Sequence, residues 1–294
     1  MSQTKVAPDF LARSTSRKMK AFRLRKVLRW WPLLIILIAL VAAAFPSVLA
    51  PYNQDLTNLA ARLEGPGFRY GAQHFLLGTD SLGRDVLSRV IWGVRPSVVV
   101  AVVAVLVAGV SGSTLGIVAG TIEGGVGTII MRFADMVLSI PFFLLAILVV
   151  AALGPSLVNV VVVLALVRWP IYARVAYGQS IEVSKRESVR SAIALGARQW
   201  RVMRYHILPE VLAPLIVVAT LEVGSMIVYE AALSFIGLGT QPPAPSWGSM
   251  LSEGEQYVST AWWISTFPGL ALFVLALSVN RLGDLIRDVL DPKS

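Results

Sequence analysis

Six apolar runs, each near the roughly 20 residues that a helix needs to cross a bilayer, fall at about 31–50, 97–120, 128–152, 156–179, 210–236 and 263–282. The polar stretches between them are very uneven: 51–96, 121–127, 153–155, 180–209 and 237–262. Inside lipid a helix satisfies its own backbone donors and acceptors. The pattern therefore predicts an all-α integral membrane protein with six transmembrane helices. The first run follows a basic segment, as a secretion leader would, but it exceeds the about 7–15 apolar residues of such a leader. Pro46 and Pro51 read as its helix exit, so it is expected to stay as the first span.

Charge orients this pattern. Of 26 Lys and Arg, nine lie in residues 1–29, seven in 174–206 and three in 281–294, whereas 237–262 has none. The positive-inside rule puts 1–29, 121–127, 180–209 and the C-terminal tail in the cytoplasm, and the other loops outside. Both termini are then cytoplasmic. The net charge of +9 follows the loops rather than one face, which excludes a nucleic-acid partner and leaves the lipid bilayer as the surroundings. Charged residues are 15% of the chain, against about 25% in soluble domains. The absence of cysteine excludes disulfides and thiolate metal sites. His74 and His206 are expected on opposite sides of the membrane, so no metal or cofactor is expected on this chain. The expected organisation is a cytoplasmic segment 1–29, a first span with its extracytoplasmic segment 30–95, a main transmembrane domain 96–283 holding loop 180–209, and a tail 284–294.

Within the spans, Ala108, Gly112, Gly116 and Gly120 form a ladder of small residues, which lets two helix backbones approach closely. Pro141 and Pro170 should bend or interrupt their helices. Charges inside a membrane are costly and mark pairs or pathways. Arg132 and Asp135 are spaced as an ion pair, Glu222 and Glu230 lie nearly on one helix face, and Arg168 is available to pair with either glutamate. These five residues are the candidates for a pathway or gate. For the glutamates, the alternative is a buried carboxylate bonded to a neighbouring helix. Gly109-Val110-Ser111-Gly112 matches a short intramembrane serine protease pattern, but no base is expected within reach of Ser111. No phosphate-binding G-x4-G-K-[S/T] motif and no H-E-x-x-H occurs.

Outside, the segment Leu77–Arg89 reads as an interfacial helix capped by Thr79 or Asp80, with Asp85 and Arg89 placed for an i,i+4 pair. The proline-rich stretch before Trp247, with Trp247, Trp262 and Trp263, reads as an interfacial cap, since tryptophans favour that depth. Asp80, Arg84, Asp85 and Trp247 are the candidate docking residues for a soluble partner. On the cytoplasmic side, Ala192, Leu195, Gln199 and Val202 recur at helical spacing, giving one apolar and one basic face suited to a protein partner. Gly196 implies that the chain turns there or that another backbone comes close.

Taken together, these blocks resemble the membrane permeases of the peptide/nickel class of ABC importers, most closely the C-type dipeptide-permease subunit. The resemblance rests on Gly78-Thr79-Asp80…Gly83-Arg84-Asp85-Val86-Leu87-Ser88-Arg89, Met131-Arg132…Asp135, Gly196…His206-Ile207-Leu208-Pro209, Ala231 to Gly239, Gln241-Pro242-Pro243…Trp247-Gly248, and Phe267-Pro268-Gly269 with Leu282-Gly283-Asp284…Asp291-Pro292. It implies a type I importer core (MetI-like) in the last five spans and a half-channel that pairs with a homologous B-type permease subunit. It further implies two ABC ATPase subunits carrying ATP and magnesium, an extracytoplasmic substrate-binding protein, and a bacterial inner membrane. This chain would do no bond chemistry. Residues 188–209 resemble the family's EAA loop, so Gly196 and Ala197, with Ser191, Ala192, Arg198 and Trp200, would contact the ATPase. Where Glu-Ala-Ala is usual this chain has Arg190-Ser191-Ala192, which would suit a more acidic ATPase groove. Short peptides are the favoured cargo, with nickel chelates or glutathione as alternatives. A secondary transporter is a remote alternative, since no second internal repeat is evident.

Overall fold

The computed structural model describes residues 30–122 and 125–290. The basic segment 1–29, part of the turn at 121–127 and the end of the tail 284–294 lie outside them. Helix α1 (Trp31–Ala44) breaks at Phe45, and one further turn, α2 (Pro46–Leu49), leads out at Pro51. A short antiparallel hairpin follows, β1 (Phe68–Tyr70) with β2 (Gln73–Phe75). Then come α3 (Val86–Thr121), α4 (Gly125–Ser139), α5 (Phe142–Leu153), α6 (Leu157–Ser184), α7 (Glu187–Ala194) and α8 (Gln199–Val202). A π-helical turn, Met203–Ile207, joins α8 to α9 (Leu208–Phe235), and α10 (Trp247–Glu255) and α11 (Trp263–Leu290) complete the chain.

Polar caps set several starts. Ser156 accepts from the amide of Asn159 at 3.1 Å to open α6, and Ser246 and Ser249 form a reciprocal capping box at α10. The helix expected from residue 79 or 80 does not form. Gly78 and Gly83 have φ of +81° and +73°, left-handed values that no right-handed helix contains. Asp85 is the cap instead, accepting from the Ser88 amide at 2.8 Å, and α3 starts at Val86.

Four helical runs are long and apolar enough to cross a membrane: α3, α6, the α8–α9 run Gln199–Phe235, and Trp263–Val289 of α11. The expected span 128–152 is broken, with α4 and α5 meeting at 91°. Pro141 sits at the break, where it removes a backbone donor and disfavours helical geometry at Ile140. Pro170, expected to act similarly, lies within an α6 that continues past it. The first expected span is also modified, because α1 has 14 residues and so reaches only about 21 Å.

The small-residue ladder does what its spacing predicts. A Cβ at Gly112 would collide with the Trp169 carbonyl oxygen, one at Gly116 with that of Ala173, and one at Gly120 with Ser180. This seam makes α3 and α6 the most extensive helix pair in the molecule. The two helices run parallel, since later residues of one meet later residues of the other. The bent α4–α5 pair must therefore carry the chain back across the bundle. With the bent pair counted as one crossing, the described residues give five traversals and the shorter α1, which packs on α3 and α11. Apolar side chains such as Leu106, Val110, Ile129, Leu148 and Val158 point outward from the bundle. A surface of that kind belongs against lipid or another subunit.

Candidate functional site

At one end of the bundle, residues 51–85 and 237–262 build a cap around a buried charge network. Asp80, 1% exposed, accepts from Arg84 Nε at 2.6 Å, from Arg89, and from the amides of Leu82 and Arg84 at 2.8 and 2.9 Å. Glu253, on α10, receives the same two guanidiniums at 3.2 and 3.1 Å, together with the Ser81 hydroxyl. Two carboxylates thus neutralise two guanidiniums. Arg89 pairs with Asp80 and Glu253, not with Asp85 as the spacing had predicted. Burial pushes the Asp85 carboxyl above the usual carboxylate range, against the opposing hydrogen bonds from Ser88. Gly83 is required here, because any Cβ would overlap the Asn58 carbonyl.

Trp247 is not an interfacial tryptophan. It is 4% exposed, packs against Gly93 and donates to the Val90 carbonyl at 2.9 Å, while Trp263 donates to the Thr79 carbonyl at 3.0 Å. The four candidate docking side chains, Asp80, Arg84, Asp85 and Trp247, are therefore turned into the cap. They hold up its surface rather than present themselves on it. Residues Gln241–Ala244, just before Trp247, are exposed. Glu253 was missed from the sequence; its signal was a carboxylate in a loop that contains no Lys or Arg.

Midway through the bundle, Arg168 Nε lies 3.5 Å from Glu222 Oε2, their side chains 16% and 13% exposed, and the guanidinium sits 4.5 Å above the Tyr229 ring. This is one of the two pairings expected for Arg168. Glu230 is separate and sealed at 0% exposure, accepting from Ser97 at 2.6 Å and Ser234 at 2.7 Å. It is a carboxylate bonded to a neighbouring helix, the alternative to a pathway residue. Arg132 and Asp135 do not pair. Asp135 bonds Arg174 of α6 at 2.6 Å in an exposed position, and Arg132 is exposed. Ser111 is also exposed, with its hydroxyl donating to the Val107 carbonyl of its own helix at 2.7 Å. Among the described residues its hydroxyl bonds only backbone carbonyls, those of Val107 and Ala108. Among the described residues no cluster of three or more His, Cys, Asp or Glu could hold a metal ion.

At the opposite end, α6, α7 and α8 form an elbow. Gly196 adopts φ +84°, its amide donates to the Ile193 carbonyl at 2.9 Å, and the Ala197 amide donates to that of Ala192 at 3.0 Å. This is a Schellman ending for α7. The glycine is needed for the turn; among the described residues nothing approaches within 4 Å of a Cβ there. The turn also resets the helical phase, so the expected apolar face does not persist. Val202 is buried, but Leu195 is 89% exposed, and Ile193, Trp200 and Tyr205 are exposed as well. Arg190, Ser191, Arg198 and Arg201 are exposed beside them, with Ala192 and Ala197 half-buried. A bridge from Arg186 to Glu210 at 3.1 Å ties the entry of the elbow to the start of α9.

Comparison with known proteins agrees with this geometry. Residues 112–294 match the model of the family described as binding-protein-dependent transport system inner membrane component. The chain belongs to that family. It is 43% identical over 88% of its length to the probable D,D-dipeptide transport system permease protein of Escherichia coli strain K12, covering 86% of that protein. It is 41% identical over 89% of its length to the di/tripeptide transport system permease protein of Pseudomonas aeruginosa strain UCBPP-PA14, covering 86% of it. A glutathione transport system permease protein of Pectobacterium atrosepticum is 40% identical over 88% of this chain and 85% of its own. Among solved structures, an inward-facing MetNI methionine ABC transporter aligns with a TM-score of 0.57 at 20% identity, over 70% of this chain and 97% of that one. The fold is thus the all-α permease fold of ABC importers, and the chain is a multi-pass inner-membrane permease subunit.

Proposed function

We propose that this chain is the C-type permease subunit of an ATP-driven importer of di- and oligopeptides, forming half of the translocation pathway with a homologous B-type subunit. Two ABC ATPase subunits carry the ATP and magnesium and grip the elbow on the cytoplasmic side. An extracytoplasmic binding protein delivers cargo to the capped end, and both termini are cytoplasmic. The chain itself breaks no bonds. The observation that carries this reading is the elbow. It exposes Leu195, Ile193 and Trp200 beside Arg190 and Arg198, yet it continues into the 37-residue helical run Gln199–Phe235, which contains the π-helical turn. Force applied near Gly196 is thereby delivered to the helix bearing Glu222. ATP-driven closure biases a two-state equilibrium between inward-open and outward-open arrangements.

The peptide cargo follows the names of the relatives; the glutathione permease supports glutathione, itself a small peptide, as the second reading. The test is uptake of a labelled dipeptide, with and without tripeptide competitor, in a strain deleted for the gene and then complemented. Uptake should be lost and restored, and Gly196→Trp should insert normally yet fail to restore it. Uptake indifferent to the gene rejects the dipeptide cargo, and restoration by Gly196→Trp rejects the elbow as the coupling point.

A further inference from the structure

We propose that Arg168 and Glu222 form a zwitterion-binding site within the pathway, the guanidinium receiving a peptide's carboxylate and the glutamate its α-ammonium. The inference rests on the peptide reading above and names the residues that touch the cargo. The two side chains lie near the middle of the 28-residue helices α6 and α9, a depth at which ionisable residues are costly and mark substrate pathways. They are partly open rather than sealed, unlike Glu230 eight residues further along.

Their geometry is that of an unfinished site. A well-made arginine–carboxylate bond spans about 2.7–2.9 Å, and the buried cap reaches 2.6 Å between Arg84 and Asp80. Arg168 and Glu222 stand 3.5 Å apart. Neither the arginine Nε nor the glutamate Oε2 makes a hydrogen bond, although both atoms are shielded from solvent. Leaving shielded charged atoms without hydrogen bonds is costly, so the pair gains by taking a ligand that supplies them. The guanidinium is also held in place, by Tyr229, whose ring packs 4.6 Å from that of Phe142. Phe142 is the first residue of α5, directly beyond the 91° bend.

Tyr172, one turn along α6 from Arg168, has a buried hydroxyl that likewise lacks a partner. A cation, an anion and a neutral donor match the groups every short peptide shares: carboxylate, ammonium and amide carbonyl. Such a site ignores side chains, as a pathway for varied peptides must. The ligand's two charges replace the attraction lost on parting the pair, and they add the hydrogen bonds that the pair lacks.

The test uses the complete transporter in proteoliposomes, with its ATPases, partner permease and binding protein. Uptake is measured for a dipeptide, its N-acetyl form and its C-amide, each normalised to its occupancy of the binding protein. In Glu222→Gln, uptake of the dipeptide should fall roughly tenfold, while uptake of the N-acetyl form, which has no ammonium to lose, stays at the parent value. Arg168→Gln should do the same for the dipeptide and spare the C-amide. Glu222→Asp, which keeps the charge, should retain the preference for the free ammonium at a lower rate, and it guards against misfolding of the glutamine variant. Equal loss of all three substrates in each variant would overturn the site and make the pair a helix clamp. A parent transporter that moves none of the peptides, although its ATPase is active, would instead overturn the peptide reading and this inference with it.

Discussion

The two ends of this bundle treat their charges in opposite ways. In the cap, Arg84 and Arg89 are buried and each is matched to both Asp80 and Glu253. At the elbow, Arg190, Arg198 and Arg201 are exposed among apolar side chains. The cap therefore matches these charges within the chain, whereas the elbow leaves its arginines on the surface. The contrast also accounts for part of the five basic residues in 51–95, a segment where the positive-inside rule expects few. Two of them, Arg84 and Arg89, are neutralised in place.

The comparison breaks most violently at Asp80. Asp80→Ala leaves two buried guanidiniums to share Glu253 alone, and removing one partner of a buried charge network costs about 3–5 kcal/mol. It should be read as a large fall in the midpoint of thermal unfolding of the solubilised protein. A small shift would mean that the network contributes little. The next effect belongs to the elbow: Gly196→Ala places a side chain in a left-handed conformation at a cost of roughly 1–2 kcal/mol, with no collision. Its stability should fall modestly, and Gly196→Asn, better tolerated there, should fall less.

Arg190→Glu sharpens the contrast from the other side. An exposed substitution should alter stability by no more than about 0.5 kcal/mol, yet it should weaken co-purification with the cognate ATPase and lower transport-coupled ATP hydrolysis. Unchanged assembly would remove Arg190 from the contact. The smallest effect concerns Asp85. Its folded carboxyl holds its proton more tightly than in the unfolded chain, so its favourable contribution is present below the unfolded value and fades as pH rises through the folded one. Asp85→Asn, which can still cap α3, should flatten that part of the stability–pH curve above about pH 4 with little change elsewhere.

Local chemistry was legible in the sequence and distant pairing was not. The runs near 97–120, 156–179, 210–236 and 263–282 fall within or overlap the long helices, because apolar length alone marks them. The ladder from Ala108 to Gly120 was readable since only small residues permit so close a backbone approach, and Gly196 because a turn there needs a left-handed residue. Pro141 announced a break but not its angle, which depends on what α5 packs against. Spacing misassigned Arg89 to Asp85 and Arg132 to Asp135, because helical neighbours are only one source of partners. The real partners, Glu253 for Arg89 and Arg174 for Asp135, lie 164 and 39 residues away. Trp247 was misplaced for the same reason: the pocket it fills is made by Gly93 and Val90 of another helix.

That separation of 164 residues also has a consequence for biogenesis. Arg84 and Arg89 leave the ribosome long before Glu253 exists, and at about 5–20 residues per second the wait is roughly 8–33 s. Throughout it, Asp80 alone balances two guanidiniums. The network closes only when α10 has followed the fifth apolar segment, so an interrupted chain keeps two guanidiniums on one carboxylate. Completion of the cap thus waits on nearly the whole length of the chain.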